Sequence, residues 1–162
     1  MKQIFFMLCV LLVCSQSFAQ DRKFGAGIIL GEPTGISAKY WTSGSNSLDF
    51  GLGWFNQYVP VRGGSGGYYF SGTRFQMHTD YLWHSFDAIR SSERFPLFYG
   101  VGALLASGGG DPAVFGVRGV FGISWMPRST PLDIFIELAP TLQLTPATGL
   151  VMGAGFGGRY FF

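Results

Sequence analysis

The chain has 162 residues, with 11 Lys+Arg against 9 Asp+Glu, 12% charged residues and 48% hydrophobic ones. Charge this sparse, about half the ~25% of an average soluble domain, excludes a disordered segment, and the lack of a basic stripe excludes nucleic acid as a partner. The 25 Gly with 17 Phe, 7 Tyr and 4 Trp fit many short strands joined by tight turns, and so an all-β chain.

The opening MKQIFFMLCVLLVCSQSFAQ has Lys2 as a positive start, an apolar run from Ile4 to Val13 and a small-residue site at Ser17-Phe18-Ala19. This pattern predicts a secretory signal removed after Ala19, leaving one domain over residues 20–162. Cys9 and Cys14 both fall in the removed segment, so no thiol, disulfide or cysteine metal site is expected in the mature chain. Cys14 as a lipidation site would need a small residue before it, and Val13 stands there. The longest uncharged stretch, Leu138 to Gly158, is broken by Pro140, Pro146 and several glycines and cannot be a transmembrane helix. A chain of this kind that crosses a membrane crosses it as a barrel.

Period-2 alternation predicts eight strands. In the first, Phe24, Ala26, Ile28 and Leu30 share one face; GEPTG follows as a turn. The second puts Ile36, Ala38 and Tyr40 opposite Ser37, Lys39 and Trp41, and the third puts Leu48, Phe50, Leu52 and Trp54 opposite Asp49, Gly51 and Gly53. If the TSGSNS hairpin between them is centred on Gly44, Lys39 and Asp49 face each other. Gln57 to Gly72 reads as an exposed loop in which Tyr58, Arg62, Tyr68, Tyr69 and Phe70, around flexible glycines, either form a surface contact set or rest their aromatics in the lipid headgroup region. The fourth strand alternates Arg74, Gln76, His78, Asp80, Leu82 and His84 with Phe75, Met77, Thr79, Tyr81 and Trp83. The fifth carries Leu97, Tyr99, Val101, Ala103 and Leu105 on its apolar face; the sixth Val117, Phe121, Ile123 and Trp125; the seventh Leu132, Ile134, Ile136 and Leu138. The eighth runs to the C-terminus with Met152, Ala154, Phe156, Tyr160 and Phe162 on one face and glycines with Arg159 on the other.

The strand charges Lys39, Arg74, Arg118, Arg159, Asp49, Asp80, Asp133 and Glu137 all fall on the glycine side. In a soluble sandwich the apolar face would be core and the charged face would meet water. Against that, the apolar face is unbroken on every strand, edges included, and the other face carries glycines and balanced charges where solvent-facing Lys, Glu and Thr belong. The expectation is therefore an eight-stranded antiparallel up-and-down transmembrane β-barrel, apolar outward, with these eight charges as a network plugging the lumen. With both termini on the periplasmic side, the outward Tyr40, Trp83, Tyr99, Trp125 and Phe162 fall at one level as an aromatic girdle.

The chain ends in GFGGRYFF, with Gly157, Tyr160 and Phe162 in a Gly-x-x-aromatic-x-Phe pattern that resembles the C-terminal assembly signal of bacterial outer-membrane barrels. With LGEPTGISAKYW, LDFGLGW, TDYLWH, PLFYGVGALL and DIFIELAP, the mature chain resembles a family of small outer-membrane β-barrels of unknown function, similar to OmpA/OmpX/OmpW-type barrels and known from spirochaetes and other didermic bacteria. The resemblance implies outer-membrane lipid, lipopolysaccharide and the barrel assembly machinery as partners, and brings no catalytic residues. Where the family often has a basic residue near the end of the fifth strand, this chain has Leu104.

His78, Asp80 and His84 share one strand face, which raises a metal or acid/base site. The neighbouring hydroxyl, Ser85, points the opposite way, which disfavours nucleophilic catalysis. RGGSGG at Arg62 to Gly67 lacks the Lys-Ser/Thr and following helix of a phosphate loop. The expected function is thus non-enzymatic and cofactor-free: a structural or surface-interaction barrel of the bacterial outer membrane that meets an extracellular ligand through its loops. The alternatives are a narrow channel or conduit for small or apolar solutes and, behind it, a lipid-modifying enzyme.

Overall fold

The computed structural model describes residues 22–60, 68–108 and 111–162, without the side chains of 57–60, 68–71 and 111; the predicted signal segment, Arg62 and the side chains of Tyr58, Tyr68, Tyr69 and Phe70 lie outside that description. The chain is all-β: β1 (Phe24–Gly31), β2 (Thr34–Trp41), β3 (Asn46–Pro60), β4 (Tyr68–Ser85), β5 (Leu97–Gly108), β6 (Asp111–Trp125), β7 (Leu132–Thr145) and β8 (Gly149–Phe161). Each strand pairs antiparallel with the next, and β8 pairs back onto β1, so the sheet is a closed barrel.

The geometry of closure follows from the register. From Gly25 the partners run Lys39, Asp49, Asp80, Gly102, Arg118, Thr141 and Val151, whereas Gly25's own partner on β8 is Phe161. The ring therefore closes with a stagger of ten residues, from 151 to 161. An eight-stranded ring so staggered tilts its strands by roughly 35–45° and leaves an interior just wide enough for side chains to fill.

Four strands run well past their predicted ends, and the reason is local. The ladder between β3 and β4 continues to Pro60↔Tyr68 after a register shift at Gln57/Tyr58, so most of the segment expected as a loop from Gln57 to Gly72 is strand. A bulge reverses which residues face inward, and a reading by strict alternation stops there. Similar shifts lie at Ala106/Gly108 and Phe115/Gly116. The β1–β2 turn is set by Gly31, at φ 119°, a value only glycine adopts freely. The Thr34 hydroxyl closes this turn, accepting from Gly31 N and donating to Gly31 O, each at 3.1 Å.

The two faces differ completely in chemistry. Outward side chains are large and apolar, as with Ile28 and Tyr99, both 60% exposed. Inward ones include Lys39 and Asp133, both 0% exposed, beside an apolar cluster of Ile29, Leu82, Phe98, Val120, Phe135 and Ala139. On the outer face at the end bearing the chain termini, Trp83 stacks on Tyr99 at 5.7 Å and meets Tyr81 edge-on at 5.1 Å, while Tyr160 meets Phe162 at 5.4 Å. Phe162 N donates to Phe24 O at 2.9 Å and fastens the last residue to the first strand. At Gly157 an added Cβ would strike the Phe135 ring, so glycine is required there by the packing of the interior.

Candidate functional site

Seven of the eight predicted lumen charges form two buried clusters. In the first, Lys39 Nζ lies 3.0 Å from Asp133 and 3.7 Å from Asp49, and Arg159 lies 3.1 Å from Asp133 and 2.9 Å from Asp49. Each cation thus touches both anions. The hairpin turn sets Lys39 directly opposite Asp49, and β7–β8 pairing sets Asp133 opposite Arg159; closure of the barrel brings the two pairs together.

Hydrogen bonds reinforce this cluster, leaving Asp133 Oδ1 and His84 Nδ1 without a partner among the described residues. Arg159 Nε donates to Ser37 Oγ at 2.8 Å, and its guanidinium lies over the Phe135 ring at 3.9 Å. Ser47 Oγ donates to Asp49 Oδ1 at 2.7 Å. A charged Lys39 ammonium donates to His84 Nε2 at 3.2 Å, which places the imidazole proton on Nδ1. Buried charges persist only when paired and hydrogen-bonded in this way.

The second cluster is built from β4, β6 and β7. Arg118 donates to Glu137 Oε1 at 3.0 Å and lies 3.2 Å from Asp80, whose other oxygen is 3.7 Å from His78 Nε2. Asp49 and Asp80 are register partners, a juxtaposition of like charges that costs free energy by itself. Each resolves it by turning to a different arginine, Arg159 or Arg118. Arg74 stands apart from both clusters, donating to the Pro112 carbonyl.

Aromatic side chains close the interior at the termini end. The His84 ring centroid lies 4.5 Å from that of Trp41, 5.6 Å from Phe98 and 6.3 Å from Phe86. Lys39 sits 5.4 Å from both the Trp41 and Phe98 rings, joining this stopper to the ionic cluster. Ser85 ends β4 on the exposed side, away from His84. Among the described residues no group of three or more His, Cys, Asp or Glu could hold a metal ion.

At the other end the interior opens into a cavity of about 270 Å³ with Arg118 at its wall. Leu104, Ala106, Ala139 and Val151 make its lining mostly apolar, and Glu32 and Gln76 add polar groups. Glu32 belongs to the β1–β2 turn, and partial burial raises its carboxyl above the ordinary range. Gln76 is 4% exposed, and its side-chain amide has no hydrogen-bond partner among the described residues. Neither residue was expected from the sequence as part of a site; a lone Gln within a charged strand face gives no signal of a cavity. Comparison with known proteins finds no family model, no curated protein and no solved structure that matches this chain.

Proposed function

We propose that this chain is a bacterial outer-membrane β-barrel with a passive role, a rigid stalk whose interior is plugged by charge and whose loops meet the surroundings of the cell. The observation that carries this reading is the inversion of the two faces. Large apolar side chains point outward on every strand while Lys39, Asp49, Asp80, Arg118, Asp133, Glu137 and Arg159 are buried inside. A water-soluble protein rarely exposes apolar patches larger than a few hundred Å², and a belt of this kind around a whole barrel suits lipid. The signal-like leader, the C-terminal Gly157/Tyr160/Phe162 pattern and the outer aromatic cluster of Tyr81, Trp83 and Tyr99 support the same placement.

The cavity at the far end favours a second reading, a conduit for small or apolar solutes. Through-passage would have to cross both ionic clusters and the Trp41/His84/Phe98 stopper, so the plug is preferred. Gel mobility of membrane-extracted protein with and without boiling tests the main reading. A heat-dependent shift is expected of a closed, detergent-resistant barrel; no shift, with the protein in the soluble fraction, overturns it. Planar-bilayer recording then separates the two: a plug gives no steps above baseline, and discrete steps support the conduit.

A further inference from the structure

One rung of the barrel wall is broken beside the cavity. The β6–β7 ladder runs to Arg118↔Thr141 and resumes at Phe121↔Leu138, with Gly119 and Val120 of β6 and Ala139 and Pro140 of β7 in the gap. Pro140 has no N–H to give β6, and proline inside a sheet is otherwise confined to edges, first positions and bulges. A closed barrel has no edge to excuse it. Gly119 opposite adds no side chain, and a Cβ there would meet only Pro140, at 3.8 Å, so no side chain of β6 covers the break at this point. A backbone carbonyl left without its rung is costly in a hydrocarbon setting, which makes the gap a feature in need of a role.

Arg118 and Thr141, which flank the gap, and Ala139 within it also line the cavity. The broken ladder and the cavity therefore share one stretch of wall. The cavity, at about 270 Å³, is close to the ~300 Å³ lower bound of small-molecule sites and mostly apolar. Into it projects Gln76, more than nine-tenths buried, its side-chain amide without a hydrogen-bond partner among the described residues. An amide that faces a mostly apolar cavity with no protein partner favours a ligand that brings both an apolar chain and a polar group.

We propose that this cavity receives a single acyl chain, admitted sideways through the Gly119/Pro140 gap, with its ester or carboxyl group hydrogen-bonded to the Gln76 amide. The proposal rests on the membrane reading. The chain can come from a membrane lipid through the wall or from a free fatty acid through the open mouth, and the wall route is the one the broken rung supports.

The test uses the full mature barrel in phosphatidylcholine vesicles containing a lipid with a diazirine on one acyl chain, followed by photolysis and mass-spectrometric mapping. Label on inward residues such as Leu104, Ala106 and Ala139, in addition to outward ones, is expected. Pro140→Val restores the missing N–H and should cut the inward label several-fold while leaving the outward label and the heat-dependent gel shift unchanged. Gln76→Leu should reduce inward label with the gel shift intact. Outward label alone overturns the proposal and leaves the membrane reading standing, whereas no label on either face, with no flotation of protein with vesicles, sinks both. A soluble diazirine decanoate in detergent separates the sources: inward labelling by it that survives Pro140→Val, with lipid labelling also unchanged, overturns the lateral route.

Discussion

Lys39 of β2 and Asp133 of β7 meet at 3.0 Å inside the barrel with neither side chain exposed at all, although 94 residues separate them in the chain. Their contact exists only because β8 closes onto β1. Removing one partner leaves the buried four-charge cluster with one charge uncompensated, at a cost of about 3–5 kcal/mol, whereas replacing both by apolar residues of similar volume is often neutral. Asp133→Leu is therefore expected to lower the thermal transition of the barrel strongly, and Lys39→Met/Asp133→Leu to recover most of the loss, since Arg159 keeps Asp49 as its partner. Circular dichroism melts of the two single variants and the double variant check this; a double variant as unstable as the sum of the singles would contradict it.

A second prediction concerns Gly51, which lies opposite His78 in the β3–β4 register. The imidazole occupies the space a Cβ would need there, while Gly44 in the β2–β3 turn has nothing within 4 Å of a Cβ. Gly51→Ala should destabilise by about 1–3 kcal/mol through overpacking and displace His78 from Asp80. Gly44→Ala should change stability little. Denaturant titrations of the two variants side by side give the comparison.

The contrast of faces explains what was legible in the sequence. Each strand has one apolar and one small-or-charged face, so period-2 alternation located all eight, and counting outward from Gly44 set Lys39 against Asp49. Strand lengths were not legible where a bulge intervenes, as at Gln57/Tyr58, because one extra residue inverts the pattern. Partners such as Arg159 with Ser37, or Lys39 with Asp133, depend on the stagger at closure, which no local pattern carries. Pro140 was visible in the sequence, but counted only as a helix breaker. Its meaning required knowing that Gly119 stands across from the missing rung and a cavity behind it.

Acidification offers a third prediction through Glu32, whose carboxyl is raised by burial in the β1–β2 turn. Folding then takes up a proton in the window between the ordinary carboxylate value of 4.5 and the raised one. Glu32 adds stability below that window and loses it as the pH rises through it. Glu32→Gln should remove this part of the pH profile and make the protein more stable than the parent at neutral pH. Melts of parent and variant from pH 4 to pH 8 test the sign: a variant less stable at neutral pH would show that the Glu32 charge is favourably held.

The four tryptophans give a direct test of the membrane reading. Trp54, Trp83 and Trp125 point outward and are exposed, whereas Trp41 packs inside against His84 at 4.5 Å and Phe161 at 6.5 Å. Four variants that each retain one tryptophan, reconstituted in vesicles of bromine-labelled phosphatidylcholine, should divide accordingly. Bromine quenches at short range, so fluorescence from the variants retaining Trp54, Trp83 or Trp125 should fall strongly, and Trp41 should be nearly unaffected. Bromines placed near the headgroup should act most on Trp83, which lies in the outer aromatic cluster with Tyr81 and Tyr99, as interfacial aromatics do. A soluble β-protein that buries its apolar surface by self-association would leave all four unquenched. Quenching of Trp41 equal to that of Trp54 would mean that the interior is open to lipid along its length, and the plug would have to be abandoned.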